Sequence, residues 1–323
     1  MHSNNRATIG LALGSGAAKG WAHIGVLNGL KKMGIEPDKV AGCSIGALVG
    51  AAYANDHLPQ LQSWVEGFSS WDVLGMMDLS WRKGGLMGGE RVFDQMQASI
   101  GAVKIEDLQR PFIAVATDLY SGQEIWFQQG DLRQAVRASC SMPGILAPVR
   151  LNQRWLVDGA VVNPVPVSVA KAMNVDMVIA VDLSAHKRSR MQVLPVQMMA
   201  SAPSAQDIVE NDAHKSAGFM DLLAKGKEYV AGLSDKLNLS HGFGDPGMLA
   251  VMSQSMEILE QRHKRARLMG DPPDICITPK VADIGTMEFH RASEAIAAGE
   301  QAVMDARHLI EAALSGHREP RPD

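Results

Sequence analysis

Ser44 stands at the junction between a short apolar stretch and a run of small residues, where its hydroxyl could act as a nucleophile. It lies in a Gly-x-Ser-x-Gly pattern whose glycines are Gly42 and Gly46. In this kind of turn a strand gives way abruptly to a helix, and the glycines remove side chains that would clash with the exposed serine. Because such short matches also arise by chance, the alternative interpretation is a tight strand–helix turn in which Ser44 only caps the helix.

Acyl transfer by a serine also needs hydrogen-bond donors for the oxyanion that develops on the substrate. Residues 14–20, Gly-Ser-Gly-Ala-Ala-Lys-Gly, follow an apolar stretch and can expose consecutive backbone N–H groups. We predict that the N–H groups of residues 15–17 bind the oxyanion. The alternative, a loop that binds nucleotide phosphates, fits less well because Gly-x-Gly-x-x-x-Gly matches neither the Rossmann nor the Walker A spacing. The predicted oxyanion loop includes Ser15, Gly16, Ala17, Lys19 and Gly20.

Both segments belong to a predicted strand–helix–strand unit. The apolar runs and the amphipathic spacing predict a buried strand over residues 7–13, a helix over residues 21–33 and a second strand over residues 40–43. Such crossovers place parallel strands in one sheet, with their carboxyl ends at the same edge. The glycine-rich loop and Ser44 are therefore expected to be neighbours.

An aspartate is the predicted general base, because no histidine lies in a strand-end loop of the kind that carries the histidine of a Ser–His–Asp triad. Residues 155–160, Trp-Leu-Val-Asp-Gly-Ala, indicate a buried strand that ends at Asp158, followed by Gly159 and Ala160. If this end faces Ser44, the carboxylate can accept the serine proton directly, and desolvation would raise its pKa towards a useful value. The alternative is that Asp158 only organises the turn at Gly159 or caps a helix.

The joint order of these three segments resembles the patatin-like phospholipase family, in the bacterial branch related to neuropathy target esterase. That family combines a glycine-rich loop ending in Arg-Gly or Lys-Gly, Gly-x-Ser-x-Gly about 30 residues later, and a distant Asp-Gly-Ala or Asp-Gly-Gly. The likeness covers residues 7–183 and is extended by the phrases at residues 21–27, 138–143 and 158–166. It implies a three-layer α/β fold with a central, mainly parallel sheet flanked by helices. It also implies a hydrolase of lipid acyl esters that uses a Ser44–Asp158 dyad without a metal or another cofactor.

Two departures from the family signature lie in the loop. Where the family usually has three glycines before the basic residue, this chain has Ser15, Gly16 and Ala17. If binding of the oxyanion requires positive φ there, each non-glycine residue costs on the order of 1 kcal/mol, and we expect weak or narrowly selective activity. Lys19 replaces arginine, which keeps the charge but loses the bidentate fork, so an electrostatic role is expected.

Composition argues against several classes of protein. With 323 residues, of which 46% are hydrophobic and 20% charged, the chain can bury a full core. A net charge of −4 gives no global attraction to nucleic acid, and three widely spaced cysteines argue against a disulfide framework or a zinc site. No apolar run reaches the roughly 18 to 20 residues of a membrane span. A cytoplasmic protein is expected, with peripheral contact at the inner membrane face left open, and the sequence carries no signal for an oligomeric state.

Composition also divides the chain. We expect a tail at residues 1–6, the catalytic core at 7–183, an irregular or mobile insertion at 184–247, a C-terminal strand and helices at 248–314 that complete the same domain, and a frayed tail at 315–323. Further strands are predicted at residues 112–116, 124–127, 155–157, 177–181 and 275–278. Helices are predicted at residues 44–54, 58–68, 90–100, 131–139, 166–173, 250–268 and 287–314.

Other reactive or apolar residues receive structural interpretations. His23 is expected to be a packed or surface imidazole rather than a base. The basic stretch at residues 262–267 lies at a predicted helix C-terminus, where cations are favoured, so a solvated helix end is expected and a lipid-headgroup contact is the alternative. Met248, Met252 and Met256 are expected to pack, with an acyl-accepting surface as the alternative.

Three functions remain open at this point. The first is a serine hydrolase of lipid acyl esters, in the manner of a lysophospholipase or phospholipase A. The second is a non-catalytic or weakly active regulator of the same fold, and the third a soluble short-chain carboxylesterase. Fold resemblance alone does not choose among them. Retention of both Ser44 and Asp158 favours catalysis, because a pure scaffold has no physical need of that pair.

Overall fold

The computed structural model describes residues 6–69, 85–87, 93–94, 97, 101–184 and 248–316. The predicted insertion therefore lies outside the described residues except for Ser184, and so does most of the helix predicted at residues 90–100. The strands are β1 (Ile9–Leu13), β2 (Lys39–Cys43), β3 (Gly85–Met87), β4 (Phe112–Asp118), β5 (Glu124–Phe127), β6 (Gly144–Leu146), β7 (Val149–Leu151), β8 (Arg154–Asp158), β9 (Met177–Val181) and β10 (Ile275–Ile277). The helices are α1 (Ala22–Lys32), α2 (Ile45–Ala54), α3 (Leu58–Glu66), α4 (Leu132–Ser139), α5 (Val167–Ala172), α6 (Met248–Gly270), α7 (Ala292–Asp305) and α8 (Arg307–Gly316).

One mixed sheet organises the fold. Its strands run in the order β10-β9-β1-β2-β4-β8-β7, and β5 also pairs with β4. The strands from β10 to β4 are parallel, whereas β5, β7 and β8 join antiparallel. The expected mainly parallel sheet is confirmed, and β1 and β2 lie side by side near its centre. The loops that follow these two strands therefore open at one carboxyl edge.

The strands β2 and β8 lie end to end along one side of β4. Its first part, up to Val115, pairs with β2, and its last part, from Ala116, pairs with β8. β5 pairs with residues 114–117 of β4 and overlaps both partners, so β2 and β8 must share the other side of β4. Since β8 runs antiparallel to β4, its last residue, Asp158, comes to the carboxyl end of β2.

Helices cover both faces of the sheet. Alternate residues of β1 point to opposite sides, as strand geometry requires: Leu11 and Leu13 belong to the larger core and Ala12 to the smaller one. The larger core includes residues of α1, α2 and α7, and the smaller core includes residues of α5. This arrangement is the expected three-layer α/β fold.

Some element boundaries differ from the prediction. The single helix predicted over residues 287–314 is two helices, α7 and α8, separated by Ala306. No glycine or proline marks that break, so the local sequence gives no stop signal there. The short strands β6 and β7, of three residues each, were not predicted because so short a run shows no clear alternation.

Candidate active site

Ser44 lies at the sharp turn between β2 and α2. Its backbone has φ 56° and ψ −127°, a strained conformation for a residue with a side chain. An added Cβ on Gly42 would lie 2.5 Å from Ala47 Cα, and one on Gly46 would lie 2.2 Å from Leu13 O, so neither glycine has room for a side chain. Ser44 makes no side-chain capping bond to the helix. The alternative that Ser44 serves only as a helix cap is therefore wrong.

Asp158 meets Ser44 at the end of β8. Ser44 Oγ donates a hydrogen bond to Asp158 Oδ2 at 2.6 Å. The second carboxylate oxygen, Oδ1, accepts from the backbone N–H of Ala160 at 2.8 Å. An added Cβ on Gly159 would lie 2.3 Å from Val115 O, so the chain can turn this tightly beside β4 only with glycine. Asp158 thus both organises its turn and faces the serine.

Burial sets the protonation of Asp158. The residue is 1% exposed, and desolvation raises the pKa of its carboxyl to about 7. Hydrogen bonds from Ser44, Ala160 and Cys43 lower this pKa, but desolvation is the larger effect. A carboxyl that titrates near neutral pH has the proton affinity that a general base needs.

Ser139, at the end of α4, holds the backbone of the Ser44 turn. The N–H of Ser44 donates to Ser139 Oγ at 2.9 Å, and this hydroxyl donates to Val115 O at 2.6 Å. Ser139 is fully buried. Sequence reasoning assigned it no role, although it lies within the phrase at residues 138–143 that supports the family resemblance. The N–H of Ser44 is occupied by this bond.

Two protonated thiols border the Ser44–Asp158 pair. Cys43 Sγ lies 3.9 Å from Asp158 Oδ1, and Cys140 directly follows Ser139, whose hydroxyl binds the N–H of Ser44. Burial raises the pKa of both thiols well above the usual range. Since the thiolate is the reactive form of cysteine, neither thiol is a nucleophile at ordinary pH.

The glycine-rich loop lies against the start of α2. An added Cβ on Gly20 would lie only 2.1 Å from Ile45 Cγ2. Ser15 N–H donates to Pro164 O at 2.8 Å and is therefore occupied, which corrects the prediction that this group binds the oxyanion. In the part of the chain that the structure describes, the N–H groups of Gly16 and Ala17 have no acceptor. These two groups are the candidate oxyanion donors.

The two residues that replace glycine in the loop, Ser15 and Ala17, differ in their backbone. Ala17 has φ 49°, a left-handed conformation that favours glycine. Ser15 does not have positive φ. The expected conformational cost of about 1 kcal/mol therefore applies at Ala17 alone. Lys19 is 9% exposed, so its charge lies within the loop rather than in solvent.

His23 forms a hydrogen bond with the first residue of the glycine-rich loop. The residue is fully buried, and its Nε2 lies 2.8 Å from Gly14 O. Since a carbonyl can only accept, Nε2 carries the proton. Burial lowers the pKa of the ring to about 4, so His23 is neutral at ordinary pH. The expectation that it is packed rather than a base is confirmed.

The inner face of α6 binds the same sheet edge. Glu260 accepts a hydrogen bond from Ser15, Lys264 pairs with Asp182, His263 contacts Val162 O, and Arg267 contacts Ser168 and Glu124. The expected solvated helix end at residues 262–267 is therefore wrong for Lys264, which is buried, and for Arg267, which pairs with Glu124, whereas the other basic side chains of the stretch are exposed. The helical spacing of these polar residues on α6 could have indicated that they share one face. Glu260 itself belongs to no motif that the sequence analysis recognised.

Other expectations concern methionines, metals and membrane spans. Met252 is 61% exposed and Met256 39% exposed, so the expected packing role is wrong for both; the side chain of Met248 lies outside the described part.

Among the described residues, no group of three or more His, Cys, Asp or Glu side chains is arranged to hold a metal ion. No helix in the described ranges is long and apolar enough to cross a membrane.

The chain is similar in sequence to known proteins. Residues 11–171 match the family model described as patatin-like phospholipase. The chain is 30% identical to an uncharacterised NTE family protein of Mycobacterium tuberculosis, over 96% of this chain and 94% of that protein. It is 32% identical to the neuropathy target esterase of Drosophila melanogaster, over 54% of this chain but only 13% of that protein.

A solved structure shares the fold. VipD from Legionella pneumophila superposes with a TM-score of 0.51 at 12% identity, over 98% of this chain and 68% of that chain. At this identity the likeness concerns the fold alone. The matched family model and the relative aligned over nearly its whole length together show that the chain belongs to the patatin-like phospholipase family, in its branch of NTE family proteins.

Proposed function

We propose that the protein is a serine hydrolase that cleaves acyl esters of lipids, in the manner of a lysophospholipase or phospholipase A. Ser44 is the nucleophile and Asp158 the general base of a two-residue dyad. The observation that carries this proposal is the 2.6 Å hydrogen bond from Ser44 Oγ to Asp158 Oδ2, in a buried turn with free N–H groups nearby. Family membership supports an ester bond in a lipid as the target.

In the acylation step Ser44 Oγ attacks the ester carbonyl while Asp158 Oδ2 takes the serine proton. The carbonyl oxygen becomes an oxyanion, which accepts hydrogen bonds from the N–H groups of Gly16 and Ala17. When the tetrahedral intermediate collapses, the ester C–O bond breaks and Asp158 returns the proton to the leaving alcohol. The acyl group then remains on Ser44 as an ester.

Deacylation repeats these steps with water. Asp158 takes a proton from a water molecule, whose oxygen attacks the acyl carbonyl beside the same N–H groups. The bond to Ser44 Oγ then breaks, the proton passes from Asp158 to Ser44, and the fatty acid leaves. Both half-reactions use one carboxyl as base and then as acid, which suits a pKa of about 7.

Turnover of a lysophospholipid tests the proposal. We expect release of fatty acid from micellar lysophosphatidylcholine by the wild-type protein and a loss of at least about 10³-fold in Ser44→Ala, because no other nucleophile replaces the hydroxyl. A Ser121→Ala variant, changed at an exposed turn, serves as the control and should retain activity. Hydrolysis of short p-nitrophenyl esters alone would favour the short-chain carboxylesterase. Absence of hydrolysis with every ester would favour the regulator.

A contact with the membrane surface forms the second part of the proposal. On α6 an outer stripe consists of Val251, Ile258, Leu259, Arg262, Arg265 and Met269, which are all exposed. The stripe lies opposite the inner face that binds the sheet edge, and it combines apolar side chains with two cations and no acidic residue. We propose that it rests on an anionic phospholipid surface, where apolar groups enter the interface and arginines meet phosphates.

Leu259→Glu tests this contact. The leucine is 64% exposed, so the change should leave the fold intact, while an acid in the stripe repels anionic lipid. We expect turnover of substrate in vesicles with anionic phospholipid to fall about tenfold and turnover of a soluble ester to stay unchanged. Leu309→Glu on α8, where the leucine is 56% exposed, is the matched control. Equal effects on both substrates, or none, would exclude the contact.

A further inference from the structure

A hydrogen bond joins α6 to the loop that holds the candidate oxyanion donors. Ser15 Oγ donates to Glu260 Oε1 at 2.6 Å, although the two residues are 245 positions apart. Ser15 stands where the family signature usually has a glycine, which could not make this bond. Glu260 also lies beyond residues 11–171, the segment that matches the family model. The contact therefore joins a residue that departs from the family signature to one that lies outside the matched segment.

Glu260 is held in place by neighbours on its own helix. One turn later, Lys264 Nζ pairs with Asp182 Oδ1 at 2.7 Å, and both side chains are 7% exposed. Asp182 directly follows β9, which pairs with β1, the strand that leads into the loop. His263 Nε2 lies 2.6 Å from the carbonyl oxygen of Val162, a residue that follows soon after Asp158 in the sequence. These contacts anchor α6 on both sides of the loop and fix where the Glu260 carboxylate lies.

The surroundings make this bond stronger than a surface contact. Burial raises the pKa of Glu260, whereas the hydrogen bond from Ser15 and the charge of Lys264 lower it. Glu260 also acts on Asp158, whose pKa its charge raises further. A hydrogen bond to a partly buried carboxyl costs more to lose than one in open water, because the remaining partner is less well solvated.

We infer that Glu260 is a positioning residue of the proposed hydrolase, and that it acts through the hydroxyl of Ser15 to hold Gly16 and Ala17 with their N–H groups towards Ser44. This inference rests on the proposed function. Ser15 then supplies a tether to α6 that the usual glycine at this position could not make. The position of α6 and the ability of the loop to bind the oxyanion are then linked through this one hydrogen bond.

A double-mutant cycle tests the inference with steady-state kinetics on a soluble ester. Ser15→Ala and Glu260→Ala should each lower kcat about tenfold with KM changed less than about twofold, because the loop stabilises the oxyanion rather than the bound substrate. The double variant should lose no more than either single variant, since both changes break one bond. Glu260→Gln, whose amide oxygen can accept from Ser15, should recover most of the lost kcat. Gln254→Ala, exposed on the same helix, is the control and should match the wild type.

Several outcomes would overturn the inference. If the wild-type protein turns over ester and the single variants keep its kcat, Glu260 does not position the loop. Losses that multiply in the double variant would show that the two substitutions act independently of each other. An equal loss in Glu260→Gln would show that the hydrogen bond with Ser15 is not the cause. The free energy of unfolding, measured in urea for each variant, shows whether such losses come from reduced stability instead. No turnover and no labelling of Ser44 in the wild type would instead refute the proposed function, and this inference with it.

Discussion

Asp158→Asn is expected to lower kcat for ester hydrolysis by about 10³-fold or more while KM changes little. The amide oxygen can still accept from the N–H of Ala160, so the turn after β8 should persist. The amide cannot take the proton of Ser44, so the hydroxyl attacks without a base. Steady-state kinetics on a soluble ester measure the effect, and a loss of less than tenfold would exclude Asp158 as the base.

The same substitution should stabilise the fold at alkaline pH. The folded-state pKa of Asp158 is about 7, above the usual value of 3.8, so between these pH values the folded chain keeps a proton that the unfolded chain loses. The contribution of Asp158 to the free energy of unfolding of the wild type therefore falls as pH rises from about 4 to 7, and it remains low above pH 7. Asparagine has no charge to bury, so Asp158→Asn should unfold at higher urea than the wild type at pH 8 and show little difference at pH 4.

Activity should follow the opposite pH trend. The base must be unprotonated, so kcat/KM of the wild type is expected to rise with pH through about 7 and then level off. Asp131→Asn is a matched control: its side chain caps α4 by accepting from Gln134 N–H, a bond that asparagine can also make. This variant should keep wild-type stability, activity and pH profile.

Gly46→Ala is expected to have the second large effect, a loss of about 3 kcal/mol or more in the free energy of unfolding. An added Cβ would lie 2.2 Å from Leu13 O and 2.7 Å from Gly14 O, which are backbone atoms of β1 and the loop after it. Relief of the clash requires α2 to move away from the oxyanion loop, so the folded fraction should also lose esterase activity. Chemical unfolding and kinetics on the same samples measure the two effects.

Gly270→Ala is the control for this substitution. Gly270 ends α6, and an added Cβ there would meet no atom within 4 Å. Its free energy of unfolding should stay within about 0.5 kcal/mol of the wild type. If Gly46→Ala behaved in the same way, the close approach of α2 to the end of β1 would be excluded.

Local patterns were sufficient to predict the Ser44 turn. The residues that flank Ser44 determine the turn through sterics that act within a few positions, and the right-handed crossover places the first loop beside it. The end of β8 at Asp158 could also be predicted from its apolar run. What the sequence left open was whether this end faces Ser44, because that depends on how β4 shares its pairing between β2 and β8.

Contacts between distant segments were not predictable in the same way. Ser139 bonds to the N–H of Ser44 across 95 positions, and Glu260 to Ser15 across 245. Neither residue belongs to a motif with a mechanism, so only the folded chain brings them to the site. The N–H of Ser15 illustrates the same limit, since its bond to Pro164 O depends on the turn after β8 and removes it from the predicted oxyanion donors.

Covalent labelling tests the central claim most directly. The protein is treated with a fluorophosphonate ester, and the modified peptide is identified by mass spectrometry in the wild type, Ser44→Ala and Asp158→Asn. The Ser44–Asp158 dyad predicts rapid labelling of Ser44 in the wild type, none in Ser44→Ala, and labelling slowed by about 10³-fold in Asp158→Asn. Failure of the wild-type protein to label at Ser44, or labelling that proceeds equally well without Asp158, would contradict it.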